Sequence, residues 1–202
     1  GRVDYAAHDI ATLIAQSRRG IIVVGNIRNS DAIGGSSHSN TLAALISDFA
    51  EFIGFPIFAG VQSANLRYQS SAVIPYAEHL MKNPAVKTNI KPDLVIQLGS
   101  TLISTETQGL ISESRNVDRT VAHVLIHTHR PTERADPSGT VTHQITSELD
   151  FFLPRVRENL EMLGYSDDKL GSQLATLVHL GREVSKQMPL IIHDAAKKVR
   201  NA

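Results

Sequence analysis

The sequence predicts an α/β fold: a Rossmann-like doubly wound parallel sheet of five to six strands flanked by helices, with a helical C-terminal tail. Short apolar runs with little alternation, such as Ile21-Ile22-Val23-Val24 and Leu94-Val95-Ile96-Gln97-Leu98, mark strands buried on both faces. Between them lie segments with apolar residues at three- and four-residue spacing, the stripe of an amphipathic helix. Strands that alternate with helices in this way form βαβ units, and βαβ units pair in parallel.

The first strand, residues 21–24, ends in Gly25-Asn26. Residues 29–39 are rich in Gly and Ser and read as a surface loop. Residues 40–53 place Leu42, Leu45, Ile46, Phe49 and Ile53 on one side, and Gly54 stands where a left-handed C-cap is wanted. Phe55-Pro56-Ile57-Phe58-Ala59 is a shorter strand, and residues 75–81 are a short helix. The Leu94–Leu98 strand leads to Ser104, whose hydroxyl is placed to cap a helix over 104–114 that Gly109 weakens. Residues 121–126 form another two-sided strand. Residues 141–145 alternate, the mark of an edge strand. Ser147-Glu148-Leu149 opens a long helix through Leu153, Val156, Leu160 and Leu163, closed by Gly164. Residues 170–188 and 190–199 are further helices. The chain therefore divides into a Rossmann-like domain over 1–164 and a helical tail or linker over 165–202.

Composition narrows the function. Lys plus Arg number 20 and Asp plus Glu number 20, so the formal charge is zero and the basic excess of a nucleic-acid binder is missing. Cysteine is absent, which excludes disulfides, thiolate zinc sites and a cysteine nucleophile. No apolar stretch approaches the ~20 residues that span a bilayer, and the first residues lack the apolar core of a signal peptide. A soluble domain without a membrane or nucleic-acid partner is expected.

Ligands of doubly wound sheets bind beyond the carboxyl ends of the strands. After the first strand stands Gly25-Asn26-Ile27-Arg28, not the Gly-x-Gly-x-x-Gly turn that lets backbone approach a pyrophosphate. Neither a Walker A sequence nor a Gly-x-Ser-x-Gly elbow occurs. His127-Thr128-His129, with Glu133 and Asp136 nearby, reads either as part of a metal site or as a polar loop. Arg67 and Arg134 follow strands and read equally as anion holders or as solvated surface residues. The candidate site is a set of loop residues that could hold an anion: Asn26, Arg28, Ser63, Arg67, Ser100, Ser104 and Arg134. No catalytic residue and no metal ligand is assigned.

The assembled pattern resembles a family. Gly20-Ile21-Ile22-Val23-Val24-Gly25, then Phe55-Pro56-Ile57-Phe58-Ala59 with Ser63 and Leu66-Arg67, then Pro92-Asp93-Leu94-Val95-Ile96-Gln97-Leu98-Gly99 with Ser104, follow in order. Arg134-Ala135-Asp136-Pro137-Ser138 and Val141-Thr142-His143 are the most specific part. Across roughly residues 15–160 this resembles the central domain of the MenD and PHYLLO family of thiamine-diphosphate-dependent 2-succinyl-5-enolpyruvyl-6-hydroxy-3-cyclohexene-1-carboxylate synthases. The resemblance implies a transferase of menaquinone or phylloquinone biosynthesis. Its flanking domains hold thiamine diphosphate and a divalent metal (Mg or Mn), with the active site between them in a homo-oligomer. It implies a bacterial cytoplasmic or a plastid location. The Gly-Asp-Gly metal motif of the family is missing from this sequence, so this chain is expected to be the middle domain, binding no cofactor and inactive alone.

The family's middle domain can carry a regulatory site for an acidic naphthoate, which makes an aromatic carboxylate a candidate ligand. Arg67 and Arg134 match that pattern. Thr101, Thr105, Glu106 and Gln144 stand where family members often carry basic residues, which weakens it. Two other readings stay open: a stand-alone Rossmann-like module for a nucleotide or flavin, and a metal-dependent hydrolase using His127 and His129.

Overall fold

The computed structural model describes residues 2–27, 37–60, 63, 66, 70–100, 102, 104–128, 136, 138–165, 179–184 and 186. The elements run α1 (Arg2–Gln16), β1 (Gly20–Val24), α2 (Ser37–Ile53), β2 (Ile57–Ala59), α3 (Ala77–Met81), α4 (Pro84–Ile90), β3 (Leu94–Leu98), α5 (Thr105–Val117), β4 (Ala122–His127), β5 (His143–Thr146) and α6 (Leu149–Met162). The five strands form one all-parallel sheet in the order β2-β1-β3-β4-β5. The Rossmann-like α/β fold expected from the sequence is the one observed.

Every residue of β1, β3 and β4 is buried, as the unbroken apolar runs require. Alternate side chains of these strands leave on opposite faces and feed two separate cores. Ile22, Val24, Leu94, Ile96, Leu98, Val124 and Ile126 pack with the inner faces of α1, α2 and α6, including Ile10, Ile46, Phe49, Phe152 and Val156. Ile21, Val23 and Val95 pack with Leu80, Met81, Ile90, Leu110 and Ile111 of α3, α4 and α5. The helices run side by side on the first face, where Asp4 meets Arg155 at 3.7 Å and His8 meets Asn159 at 3.3 Å. The equal offset of the two pairs means that α1 and α6 point the same way.

Two helices are additional to those read from the sequence. For α1 the stripe Ala7, Ile10, Ala11 and Ile14 is fully buried. For α4 the start is Asn83, whose side chain accepts the Ala85 N–H at 3.0 Å, followed by Pro84 in the first turn. Other signals held. Gly54 and Gly164 follow α2 and α6 with φ of 70° and 69°. Ser104 caps α5. α2 begins at Ser37 rather than at residue 40. β5 is the outer strand, largely exposed, and it starts later than expected because Val141 and Thr142 are engaged in the turn before it. Of the tail, 179–184 and 186 are helical, Val184 reaches the second core, and the remainder of both expected tail helices lies outside the described residues.

The central pair β1–β3 is tied at its amino end by one carboxylate. Asp93 accepts the Ser17 hydroxyl at 2.6 Å and the backbone N–H groups of Arg18 at 2.8 Å and Arg19 at 3.1 Å. Its own N–H donates to the Arg19 carbonyl at 3.2 Å. Beside this clamp, Gly20 opens β1 with the Phe55 ring pressed onto it. A Cβ there would lie 1.9 Å from the ring. Gly20→Ala is expected to destabilise the chain by about 1–3 kcal/mol through overpacking. Phe55→Leu should recover part of that loss in the double variant. Urea denaturation of the four proteins checks both, and additive losses would refute the contact.

Candidate functional site

The strand order reverses between β1 and β3, and the crevice at such a reversal is where doubly wound proteins take ligands. Here the two loops at that point hold each other. The Gly25 N–H donates to the Leu98 carbonyl at 2.9 Å, and the Ser100 N–H donates to the Asn26 carbonyl at 3.2 Å. Gly99 has φ 81°, and a Cβ on it would lie 2.6 Å from the Asn26 carbonyl oxygen. A glycine is needed there for both reasons. The buried Ser63 hydroxyl donates to the Gly25 carbonyl at 2.9 Å. The Gln97 amide donates to the Ser100 carbonyl at 2.6 Å.

Asn26, Ser63 and Ser100 of the expected anion set are thus brought together, the first and last through backbone bonds and Ser63 through its hydroxyl. Ser104 stands at the start of α5, where its oxygen accepts the Thr107 N–H at 3.2 Å and the Thr107 hydroxyl at 3.1 Å. Ser104 and Thr107 border a cavity of about 20 Å³ between β1, β2 and α5, which Glu78 also borders. That volume suits a single water at most. Arg28, Arg67 and Arg134, together with Thr101, His129 and Glu133, lie outside the described residues.

A second polar group crosses the sheet on the face that Val23 and Val95 share. Gln97, His123 and His127 are all buried. The His123 Nε2 lies 3.0 Å from Gln97 Oε1, and its Nδ1 lies 3.0 Å from the Thr140 hydroxyl. The Gln97 amide nitrogen is already donating, so its oxygen accepts from Nε2–H and the Thr140 hydroxyl donates to Nδ1. Thr140 stands in a turn organised by Asp136, whose carboxylate accepts the N–H of Val141 at 2.9 Å and of Thr140 at 3.2 Å. The Ser138 hydroxyl also donates to it, at 3.2 Å. Thr142 grips the β4 backbone, donating its hydroxyl to the His123 carbonyl at 3.0 Å and accepting the His123 N–H at 2.9 Å. Asp136, Ser138, Thr140, Val141 and Thr142 therefore build the turn into β5 and satisfy the buried His123. Sequence reasoning missed this network. Its signal was Gln97 and His123, polar residues inside two-sided strands, where an unpartnered polar group is costly, and diagonal neighbours on β3 and β4.

Both nitrogens of His127 are also engaged. Nδ1–H donates to the Thr128 carbonyl at 3.0 Å, and Nε2 accepts from the Gln144 amide at 2.9 Å. Gln144, where a basic residue was sought, thus holds the imidazole. Among the described residues no three His, Asp or Glu side chains converge on a point that could hold a metal ion. Among them, too, no helix is long and apolar enough to cross a membrane.

Burial holds the His123 imidazole neutral, pushing its pKa down to about 4. The Asp136 charge opposes this and Arg115 adds to it. Burial works against ionisation of Asp136, but the Val141 and Thr140 N–H groups, the Ser138 hydroxyl and His123 outweigh it and lower its pKa. No protein-family model matches this chain, and no curated protein matches it either.

These shifts set an acid sensitivity. The unfolded chain takes up a proton on His123 near the 6.5 of an ordinary imidazole, the folded chain only near 4. Stability is therefore full above that upper value and falls as pH drops through the window between them. At ~1.4 kcal/mol per unit, the loss approaches ~3 kcal/mol at the lower end. The lowered pKa of Asp136 adds to the loss as pH falls further. Urea unfolding at about pH 7.5, 5.5 and 4.5 measures it. His123→Gln is expected to flatten the slope across that window, and an unchanged slope would assign the effect to another group.

Proposed function

We propose that this chain is the non-catalytic central domain of a MenD/PHYLLO-type thiamine-diphosphate-dependent synthase, a rigid scaffold between two flanking domains. The intact enzyme adds the succinyl-semialdehyde unit derived from 2-oxoglutarate to isochorismate, in a bacterial cytoplasm or a plastid. The order of the sequence motifs suggests the family. The observation that carries the scaffold role is the closed crevice between β1 and β3. Ser100 N–H, Gly99 and the Asn26 carbonyl occupy each other where a nucleotide or flavin would need open backbone amides.

The described donor set does not fit thiamine diphosphate with its divalent metal, since no three carboxylates or imidazoles converge. In this reading the cofactor belongs to the flanking domains, and no chemical step is assigned to this one. A regulatory role at the carboxyl edge would depend on Arg28, Arg67 and Arg134 acting beside Asn26, Ser63, Ser100 and Ser104 on an aromatic carboxylate. The engaged polar atoms at the last four, with Glu78 close to Ser104, favour the scaffold role over that site.

Calorimetric titration of the chain with thiamine diphosphate and Mg is expected to give no heat of specific binding, and titration with ADP or FMN the same. Expression of the flanking reading frames joined to this segment should yield the synthase activity. Affinity for ADP or FMN in the micromolar range, roughly −8 kcal/mol, would overturn the scaffold reading in favour of a nucleotide module. A neighbouring sequence without a thiamine-diphosphate motif would overturn the family.

A further inference from the structure

The chain changes sides after α6. Tyr165 packs with the first core, its hydroxyl donating to the Ile53 carbonyl at 2.8 Å, whereas Val184 packs with the second. Within the helical segment 179–184, Gly181 is buried, while His179, Leu180 and Arg182 are exposed. Glycine is a poor helix former, so its place in this helix needs a reason. The reason is the approach to Pro75. A Cβ on Gly181 would lie 2.7 Å from Pro75 Cδ and 2.9 Å from the Pro75 carbonyl oxygen. The helix backbone rests directly on that residue, and any side chain at 181 would lift it off.

Pro75 leads into a strained turn. Tyr76 has φ 53°, and among the described residues no other non-glycine has a positive φ. It is the N-cap of α3, without a side-chain cap bond, and its carbonyl accepts the N–H groups of His79 at 2.9 Å and Leu80 at 3.1 Å. A left-handed tyrosine persists only where its surroundings hold it. The next two residues, Ala77 and Glu78, border the small cavity at the carboxyl edge together with Ser104 and Thr107. The contact at Gly181 is therefore joined to the wall of that cavity through the strained Tyr76.

We infer that residues 179–184 are a releasable strap, whose seat on Pro75 holds the turn from Tyr76 to Glu78 closed against the cavity at the carboxyl edge. The described apolar contacts of the seat are Gly181 and the partly buried Val184, a small hold of the kind that opens locally while the core stays folded. With the strap seated, the cavity of about 20 Å³ has room for a single water at most. With it lifted, Tyr76 is free to leave the left-handed region, and Ala77 and Glu78 move with it. The device regulates access to the carboxyl edge from the tail, and it does not depend on the family assignment.

Hydrogen exchange of the 202-residue chain, read amide by amide, distinguishes the two states. Gly181→Leu raises helix propensity and removes the seat, so the two effects oppose each other. It is expected to speed exchange at Glu183 and Val184 by about tenfold, and at His79 and Leu80 to a similar extent, while Ile22 and Val95 keep their protection. Amide shifts at Ala77, Glu78, Ser104 and Thr107 should change with it. Val184→Ser, which loosens the strap at its other contact, should move the same set in the same direction. Unchanged or slower exchange at Glu183 and Val184 in both variants would overturn the strap, since the seat would then hold nothing. Changes confined to the tail would overturn its coupling to the cavity. Lost protection at Ile22 and Val95 would overturn its independence from the core.

Discussion

A strand buried on both faces has no water to turn to, so each of its side chains must be satisfied by the protein. This constraint governs β1, β3 and β4 and through them most of the chain. It is met in one way for apolar residues, which divide by parity between the core under α1, α2 and α6 and the core under α3, α4 and α5. It is met in another way for Gln97, His123 and His127. A lone amide or imidazole at these positions would cost on the order of 1–3 kcal/mol. Gln97 instead spans from Ser100 to His123, His123 continues to Thr140, and His127 is closed by Gln144 and Thr128. The turn before β5 is the end of that chain of bonds. The edge strand, with a mostly exposed surface, is therefore anchored by polar contacts where the inner strands are anchored by burial.

The same economy shapes the two ends of the sheet. At the amino end, Asp93 gathers the α1–β1 turn onto β3. At the carboxyl end, Ser100, Gly99, Asn26 and Ser63 bind one another. A crevice that receives a dinucleotide keeps its amides unspent until the ligand arrives. Here the amides of Gly25 and Ser100 are spent within the fold. The central strands are clamped at both ends, which is what the proposed scaffold role would require.

Much of this was legible in the sequence, and the limits have physical causes. Ile21-Ile22-Val23-Val24 announces two-sided burial because no polar residue interrupts it, and Gly54 and Ser104 carry cap chemistry that depends only on local backbone. α1 escaped notice although Ala7, Ile10, Ala11 and Ile14 repeat at helical spacing, because two of the four are alanines and polar residues surround them. α4 has a cap and a proline but only Ile90 fully buried, so its helical stripe is too short to stand out. In the candidate site, Asn26, Ser63 and Ser100 were placed correctly at one edge, since that follows from topology. What they do there was not legible, because a hydroxyl's partner across 38 residues is a tertiary fact. The burial of His123 was legible in principle from its matching register with Val95 and its place in a two-sided strand.

Helix chemistry explains why positive side chains gather at the amino edge of this sheet. In a parallel α/β layer the helix C-termini end there, carrying partial negative charge and unsatisfied carbonyls that favour cations. Lys82 and Lys91 are the C-cap residues of α3 and α4, and their backbone N–H groups close the last turns through Leu80 and Lys87. Their main chains are thus fixed by the fold, whereas their side chains are exposed. Lys87, one turn earlier, is the member of this series that finds a carboxylate, Glu113, on the facing helix. The carboxyl edge meets its electrostatic demand internally, through the Ser104 cap and the bonded loops. At the amino edge the four cations Arg19, Lys82, Lys87 and Lys91 stand beside as many carboxylates, Asp93, Glu106, Glu113 and Asp118.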